Sequence, residues 1–504
     1  MNARLPSTVL NAASTLSQIS QTWDAQIVPQ LQDYIRIPAK SPMFDADWEA
    51  HGYIDTVVRN TATWIEAQKV AGLTLEVVRL PGRTPVLFFE VPASRGERPN
   101  ASLGSSAPHV TGGQNAPSTV LMYGHLDKQP EFSGWRSDLG PWTPKIDDGK
   151  LYGRGGADDG YAAYAAITAI QALKSQAVSH PRIVGLIETC EESGSYDLLH
   201  YIDALKPRLG EVSLVVCLDS GAGNYEQLWL TNSLRGMASG VLKVEILTEG
   251  VHSGDASGLV PSSFRIMRQV LDRLEDSATG RLLPASFHCA VPAERLTQAR
   301  ATAAILGDEI YKRFPWAHAD CGGASAFALP TTTDPLQALL NRTWLPTLSV
   351  TGADGFPELK NAGNVLRPYT AFKLSLRLPP LVEAATAVQE LKALLEDNAP
   401  YQAKVTFEGL SSATGWNAPD TAPWFEQALN AASQVHFGAP CGHIGQGGTI
   451  PLMNMLSKGF PAAQMMVCGV LGPKSNAHGP NEFLHIAYAK KLTAAVAEVI
   501  AQCP

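Results

Sequence analysis

Residues 119–127 read Thr-Val-Leu-Met-Tyr-Gly-His-Leu-Asp. The apolar run from Thr119 to Tyr123 is too short for a helix and too uniformly apolar for a surface segment. It therefore predicts a buried strand that ends at Gly124 and delivers His125 and Asp127. The same arrangement recurs downstream. Ile183 to Ile187 leads to Glu191 and Glu192, and Leu214 to Leu218 leads to Asp219-Ser220-Gly221. Gln464 to Val470 leads to a loop carrying His478, ahead of a helix expected to open near Asn481. Short buried strands alternating with helical periodicity predict an α/β fold, with a central mixed β-sheet flanked by helices. In such sheets the loops at the carboxyl ends of the strands converge, and ligands gather there. The four strand ends are thus expected to face one place.

A fifth cluster has a different origin. Gly153-Arg154-Gly155-Gly156-Ala157-Asp158-Asp159-Gly160 is a glycine-rich turn feeding a predicted helix from Tyr161 to Gln176, with Ile167, Ile170 and Leu173 at helical spacing. Asp158 then stands at a helix N-terminus, where the macrodipole favours a carboxylate. A phosphate cradle does not fit, because no Lys-Ser/Thr follows and the adjacent carboxylates would repel the anion. Taken singly, each cluster has an ordinary reading: a satisfied loop histidine, a helix cap, a solvated Glu-Glu pair or an Asp-Ser-Gly turn. Taken together, carboxylates crowded at the end of a buried sheet are costly unless cations neutralise them. A pair of divalent metals does that.

Further along, Gly240 to Thr248 alternates as a strand, and Phe264, Met267, Leu271 and Leu274 form one helical stripe. Strand-like runs at Thr347 to Thr351 and Ala371 to Leu378, a helix at Ala384 to Leu395 and a strand at Lys404 to Phe407 complete a β-α-β-β-α-β order, the split βαβ pattern. Residues 277–345 interrupt it after the first helix. This α+β lid is expected over 232–408, so that 1–231 and 409–504 form one discontinuous catalytic domain. The loop from Ser94 to Ser118, rich in Ser, Gly, Pro and Asn, is expected to be solvated and mobile.

Composition narrows the setting. A net charge of −8 with scattered signs argues against nucleic acid and acidic membranes as partners. No stretch reaches the apolar length of a membrane span, and the N-terminus lacks a basic segment followed by an apolar core, so a cytoplasmic protein is expected. The 7 cysteines are scattered without CxxC spacing and read as reduced thiols. No Gly-x-Ser-x-Gly elbow appears, and Cys190 beside Glu191 has a metal-site explanation for its surroundings, which argues against nucleophilic catalysis.

The ordered set Gly-His-Leu-Asp, Gly-Arg-Gly-Gly-Ala-Asp-Asp-Gly, Glu-Glu-Ser-Gly-Ser, Leu-Asp-Ser-Gly and Ala-His-Gly-Pro-Asn-Glu resembles the M20 metallopeptidases. The similarity is greatest to the branch of cytosolic non-specific dipeptidase and carnosinase, and it spans roughly residues 30 to 490. The resemblance implies that His125 and Asp219 hold one metal, Glu192 and His478 the other, and that Asp158 bridges them. Two imidazoles among carboxylates suit Zn²⁺ or Mn²⁺ and are too nitrogen-rich for Ca²⁺. Asp127 would orient His125, and a cis peptide would follow Asp158. Glu191 matches the general base, taking a proton from a metal-activated water and returning one to the leaving amine.

In the lid, His252 resembles a histidine directed at the carbonyl oxygen of the transition state, often from the partner subunit of a homodimer. Arg377 resembles an arginine that grips the substrate carboxylate, while Gly448, Thr449 and Asn364 match loops that contact substrate. The leading expectation is hydrolysis of dipeptides or small peptides. An N-acyl or N-carbamoyl amino acid amidohydrolase with the same metal site is the alternative, and a non-catalytic binding or assembly protein is a third reading, disfavoured by the spare carboxylate of Glu191.

Overall fold

The computed structural model describes residues 9–94, 118–321, 324–448 and 451–504, so residues 95–117 of the loop expected to be mobile, and Thr449, lie outside the described residues. The chain divides into two compact units. One contains residues 1–231, 418–444 and 455–504, and the other contains residues 232–417 and 445–454.

The first unit is built on a mixed sheet of 6 strands, in the order Thr74–Val78, Val86–Val91, Arg182–Glu188, Thr119–His125, Val212–Cys217 and Gln464–Val467. The last four run parallel to one another, and Val86–Val91 is antiparallel to both of its neighbours, Arg182–Glu188 and Thr74–Val78. Every residue of Thr119–His125 is buried, as the uniformly apolar run requires of a strand with neighbours on both edges. Helix Ala162–Ser175 packs on this strand and on helix Ile486–Gln502. Its alanines at 162, 163, 165, 166, 169 and 172 are all buried, because small side chains let a helix be enclosed on nearly every side.

The close packing of this sheet is visible at Gly185. A Cβ there would lie 1.9 Å from Cε1 of Phe89, its cross-strand partner, whose ring fills the space. Gly185→Ala is therefore expected to lower stability by about 1–3 kcal/mol in urea unfolding, the usual cost of overpacking a filled core.

The helix expected near Asn481 opens later, at Ile486, with His485 Nδ1 accepting from Tyr488 N at 3.2 Å. Residues Phe483–His485 instead form a short strand against Lys150–Tyr152. Asn481 has φ +62°, outside the helical region, and Glu482 beside it pairs with the buried Arg154 at 2.6 Å.

The second unit is α+β. Its antiparallel sheet runs in the order Thr347–Asp354, Tyr369–Leu378, Gly236–Glu245, Lys404–Ala413, with helices Ser263–Leu271 and Ala384–Glu396 completing the split βαβ order. Leu374, Leu376 and Leu378 join Leu391, Phe407 and the helical Ile266, Met267 and Val270 in the core. The helical stripe differs from the expected one. Ile266 and Val270 centre the buried face, which leaves Phe264 at its margin, 43% exposed and edge-on to Phe356 and Phe372. Between the first helix and the Thr347 strand lie helices Ala293–Leu306, Glu309–Lys312 and Pro335–Thr343. No helix among the described residues is long and apolar enough to cross a membrane.

Candidate metal centre

The parallel strands of the first unit end in the polar groups that matter. His125 is the last residue of its strand, Asp219 follows the Val212–Cys217 strand, and Glu191 and Glu192 open a single turn after Arg182–Glu188. His478 sits in the loop after Gln464–Val467 with φ +64°, an unusual conformation for a residue with a side chain. Asp158 lies in the turn Gly156–Gly160 with extended backbone, φ −126° and ψ 88°, and the peptide linking it to Asp159 is cis.

These groups meet. His125 Nε2 stands 3.5 Å from Asp158 Oδ1 and 3.9 Å from Asp219 Oδ2. His478 Nε2 stands 3.1 Å from Asp158 Oδ2 and 3.3 Å from Glu192 Oε2. Asp158 thus turns one oxygen towards each imidazole. His125, Asp158 and Glu192 each bring a ligand atom within 4.8 Å of the others, as do His125, Glu191 and Asp219.

Asp127 touches His125 Nδ1 through its main-chain carbonyl at 3.1 Å, with its carboxylate at 3.5 Å. The carboxylate itself accepts the backbone N–H groups of Glu191 and Glu192 at 3.1 and 3.0 Å. One residue therefore ties the His125 strand end to the Glu191 turn.

The electrostatics are those of too many carboxylates in too little water. Burial, reinforced by neighbouring acids, pushes Glu192 and Asp219 well above the usual carboxylate range and Glu191 up to about 7. Burial works against a charge on His478, yet Asp158, Glu192 and Glu191 draw it up to about 10. His125 is raised likewise, against burial, by Asp127, Asp158 and Asp219. The upward pull on both imidazoles shows how strongly these acids favour positive charge beside them. A divalent cation supplies that charge, and His125 Nε2 and Glu192 Oε1 are buried with no hydrogen-bond partner among the described residues, which leaves both atoms available as ligands. The donor set fits a divalent metal.

The remaining sequence candidates belong to the second unit. His252 ends a two-residue strand paired with Val365–Leu366, is exposed, and accepts Gly254 N at 3.1 Å through Nδ1. The carbonyl of exposed Asn364 accepts Ser253 N at 2.9 Å, which links two of the candidate segments. Arg377 lies on its strand between Thr347 and Met237, on the face opposite Leu376 and Leu378, and burial lowers its pKa. Gly448 is exposed in a bend with open space around its Cα.

Three residues escaped the sequence reading. Gln129 donates to Glu192 Oε2 at 2.6 Å, and Arg154 and Glu482 form a fully buried ion pair beside the site. Their one sequence signal was position, since Arg154 and Glu482 both fall inside the clusters that carry the ligands.

A parallel-sheet edge that gathers imidazoles and carboxylates around a shared aspartate defines a metal-dependent hydrolase. Residues 121–502 match the model of peptidase family M20/M25/M40, and the chain belongs to that family. It is 28% identical over 390 residues to the cysteinylglycine-S-conjugate dipeptidase of Corynebacterium striatum, covering 74% of this chain and 79% of that one. It is 27% identical over 358 residues to a Cys-Gly metallodipeptidase of Schizosaccharomyces pombe, covering 68% and 72%. Its fold is that of human carnosine dipeptidase 1, with a TM-score of 0.72 and 20% identity over 99% of both chains. The chain is accordingly a metallopeptidase, whose family implies a divalent metal.

Proposed function

We propose that this enzyme cleaves dipeptides or small peptides bearing a free carboxylate, using two divalent ions per chain, zinc or manganese. The observation that carries the reading is Asp158, whose two oxygens face the two imidazoles separately. His125 and Asp219 would hold one ion, Glu192 and His478 the other, with Asp158 between them. When bound, the ions polarise a water and the scissile carbonyl.

The protein's own groups do the rest. Glu191 stands next to a ligand in sequence, is half-buried, and its carboxylate takes no hydrogen bond from any described residue. It accepts the proton of the attacking water and passes it to the departing amine. Asp127 keeps the Glu191 turn in place through the two backbone N–H groups it accepts. His252 donates to the oxygen that gains charge, and Arg377 holds the substrate carboxylate in a planar fork. Asn364, Gly448 and Thr449 complete the substrate contacts.

His252 would act across a homodimer in the cytoplasm. His252→Ala is expected to lower kcat by about 10²–10³-fold, the usual loss for an oxyanion donor, with metal content unchanged. Loss of metal in that variant would instead make it a structural residue.

A panel of dipeptides set against N-acyl and N-carbamoyl amino acids tests the substrate class. Metal-dependent cleavage confined to the peptides is expected, and cleavage confined to the acyl compounds would replace this reading with the amidohydrolase one. The dipeptidase names of the relatives favour the peptides.

A further inference from the structure

The buried pair of Arg154 and Glu482 takes no part in the mechanism above, yet it touches both loops that bring His478 and Asp158 together. Its side chains are 1% and 0% exposed and meet at 2.6 Å. An ion pair so placed costs desolvation unless other polar groups complete it. Here five backbone groups do so. Arg154 donates to the carbonyls of His478 at 3.3 Å, Gly479 at 2.8 Å and Pro130 at 3.1 Å. Glu482 Oε1 accepts the N–H groups of Gly155 at 2.9 Å and Ala157 at 3.4 Å.

We infer that Arg154 and Glu482 are positioning residues that set the affinity of one metal position, the one built by Glu192 and His478, and leave the His125 and Asp219 position nearly unaffected. The inference rests on the two-ion reading above. The asymmetry comes from how the ligands are supported. His125 is paired with Glu188 in the ladder of a central strand, and Asp219 stands two residues past the end of the next strand, so each follows directly from regular structure. His478 has no such support: it lies in an irregular loop at positive φ, and Arg154 holds its carbonyl and the next one. Pro130, the third carbonyl that Arg154 holds, follows Gln129, which donates to Glu192. The pair therefore reaches both ligands peculiar to one position, His478 at its own carbonyl and Glu192 through Pro130 and Gln129, whereas of the other position's ligands it comes near only the shared Asp158, through Ala157 N at 3.4 Å. Partners of this kind change metal affinity by about 10–100-fold when removed.

The test is calorimetric titration of Zn²⁺ into the chelator-stripped full-length protein, comparing wild type with Glu482→Gln and with the double variant Arg154→Met/Glu482→Gln. The double variant leaves no lone charge in the interior, so it reports even where the single variant folds poorly. Two binding steps are expected in the wild type, with His478→Ala identifying one of them and His125→Ala the other. In the double variant the His478 step weakens about 10–100-fold while the other stays within about threefold. Its kcat then recovers at saturating metal with KM unchanged, which general loosening of the fold would not produce. Equal weakening of both steps, weakening of the His125 step alone, or no change overturns the inference while the two-ion reading stands. A wild type that takes up a single ion overturns both.

Discussion

Glu191→Gln is expected to keep its full metal complement and to lose turnover by about 10²–10⁴-fold, the contribution a positioned general base makes. The substitution preserves shape, and the backbone N–H of residue 191 still reaches Asp127, so the turn holding Glu192 is not disturbed. What is removed is the proton acceptor. Burial first, and then Asp127 and Asp158, hold the Glu191 carboxyl up to about 7 in the metal-free site, against the pull of His125 and His478. A base must be ionised to act, so kcat/KM falls as pH drops through that range, and a cation bound among these acids shifts the fall to lower pH. In Glu191→Gln that acidic limb disappears from whatever activity remains. Steady-state kinetics over pH, with elemental analysis of the same samples, reads both quantities, and undiminished turnover would remove Glu191 from the mechanism.

Asp158→Ala should produce the second large effect, of a different kind. Each oxygen of Asp158 faces one imidazole, so on the two-ion reading its removal would take a ligand from both positions at once. It also removes the nearest negative charge from His478, one of the three acids that draw its pKa upward. Metal affinity at both positions is expected to fall more than about 100-fold, beyond the 10–100-fold typical of outer partners. Activity falls to background and is not restored by millimolar metal. His478→Ala contrasts with it by losing one ion only. Retention of two tightly bound ions in Asp158→Ala would mean that the two positions do not share this carboxylate.

Much of this was legible in the chain because the decisive patterns are local. A buried strand announces itself within five residues, and the ligand it presents follows immediately, as at Tyr123-Gly124-His125. The glycine-rich turn before helix Ala162–Ser175 places Asp158 by the same short-range logic. The split βαβ order of the second unit could be read from alternating strand and helix periods.

What stayed hidden depends on contacts between distant segments. Arg154 and Glu482 are 328 residues apart, and neither looks unusual in its own stretch. The delayed start of helix Ile486–Gln502 goes with the pairing of Phe483–His485 on Lys150–Tyr152, another contact between distant segments. The capping of the Glu191 turn by the Asp127 carboxylate is likewise a tertiary fact, as is the margin position of Phe264, which depends on how Ile266 and Val270 orient their helix against the sheet.

The most direct measurement is metal content per chain of the purified protein, followed on the same preparation by dipeptide hydrolysis before chelation, after it, and after return of Mn²⁺ or Zn²⁺. Two ions per chain, with cleavage lost on chelation and regained on adding metal, is the predicted result. Absence of bound metal, or cleavage indifferent to chelation, would contradict the assignment of His125, Asp158, Glu192, Asp219 and His478 as ligands and the mechanism built on them.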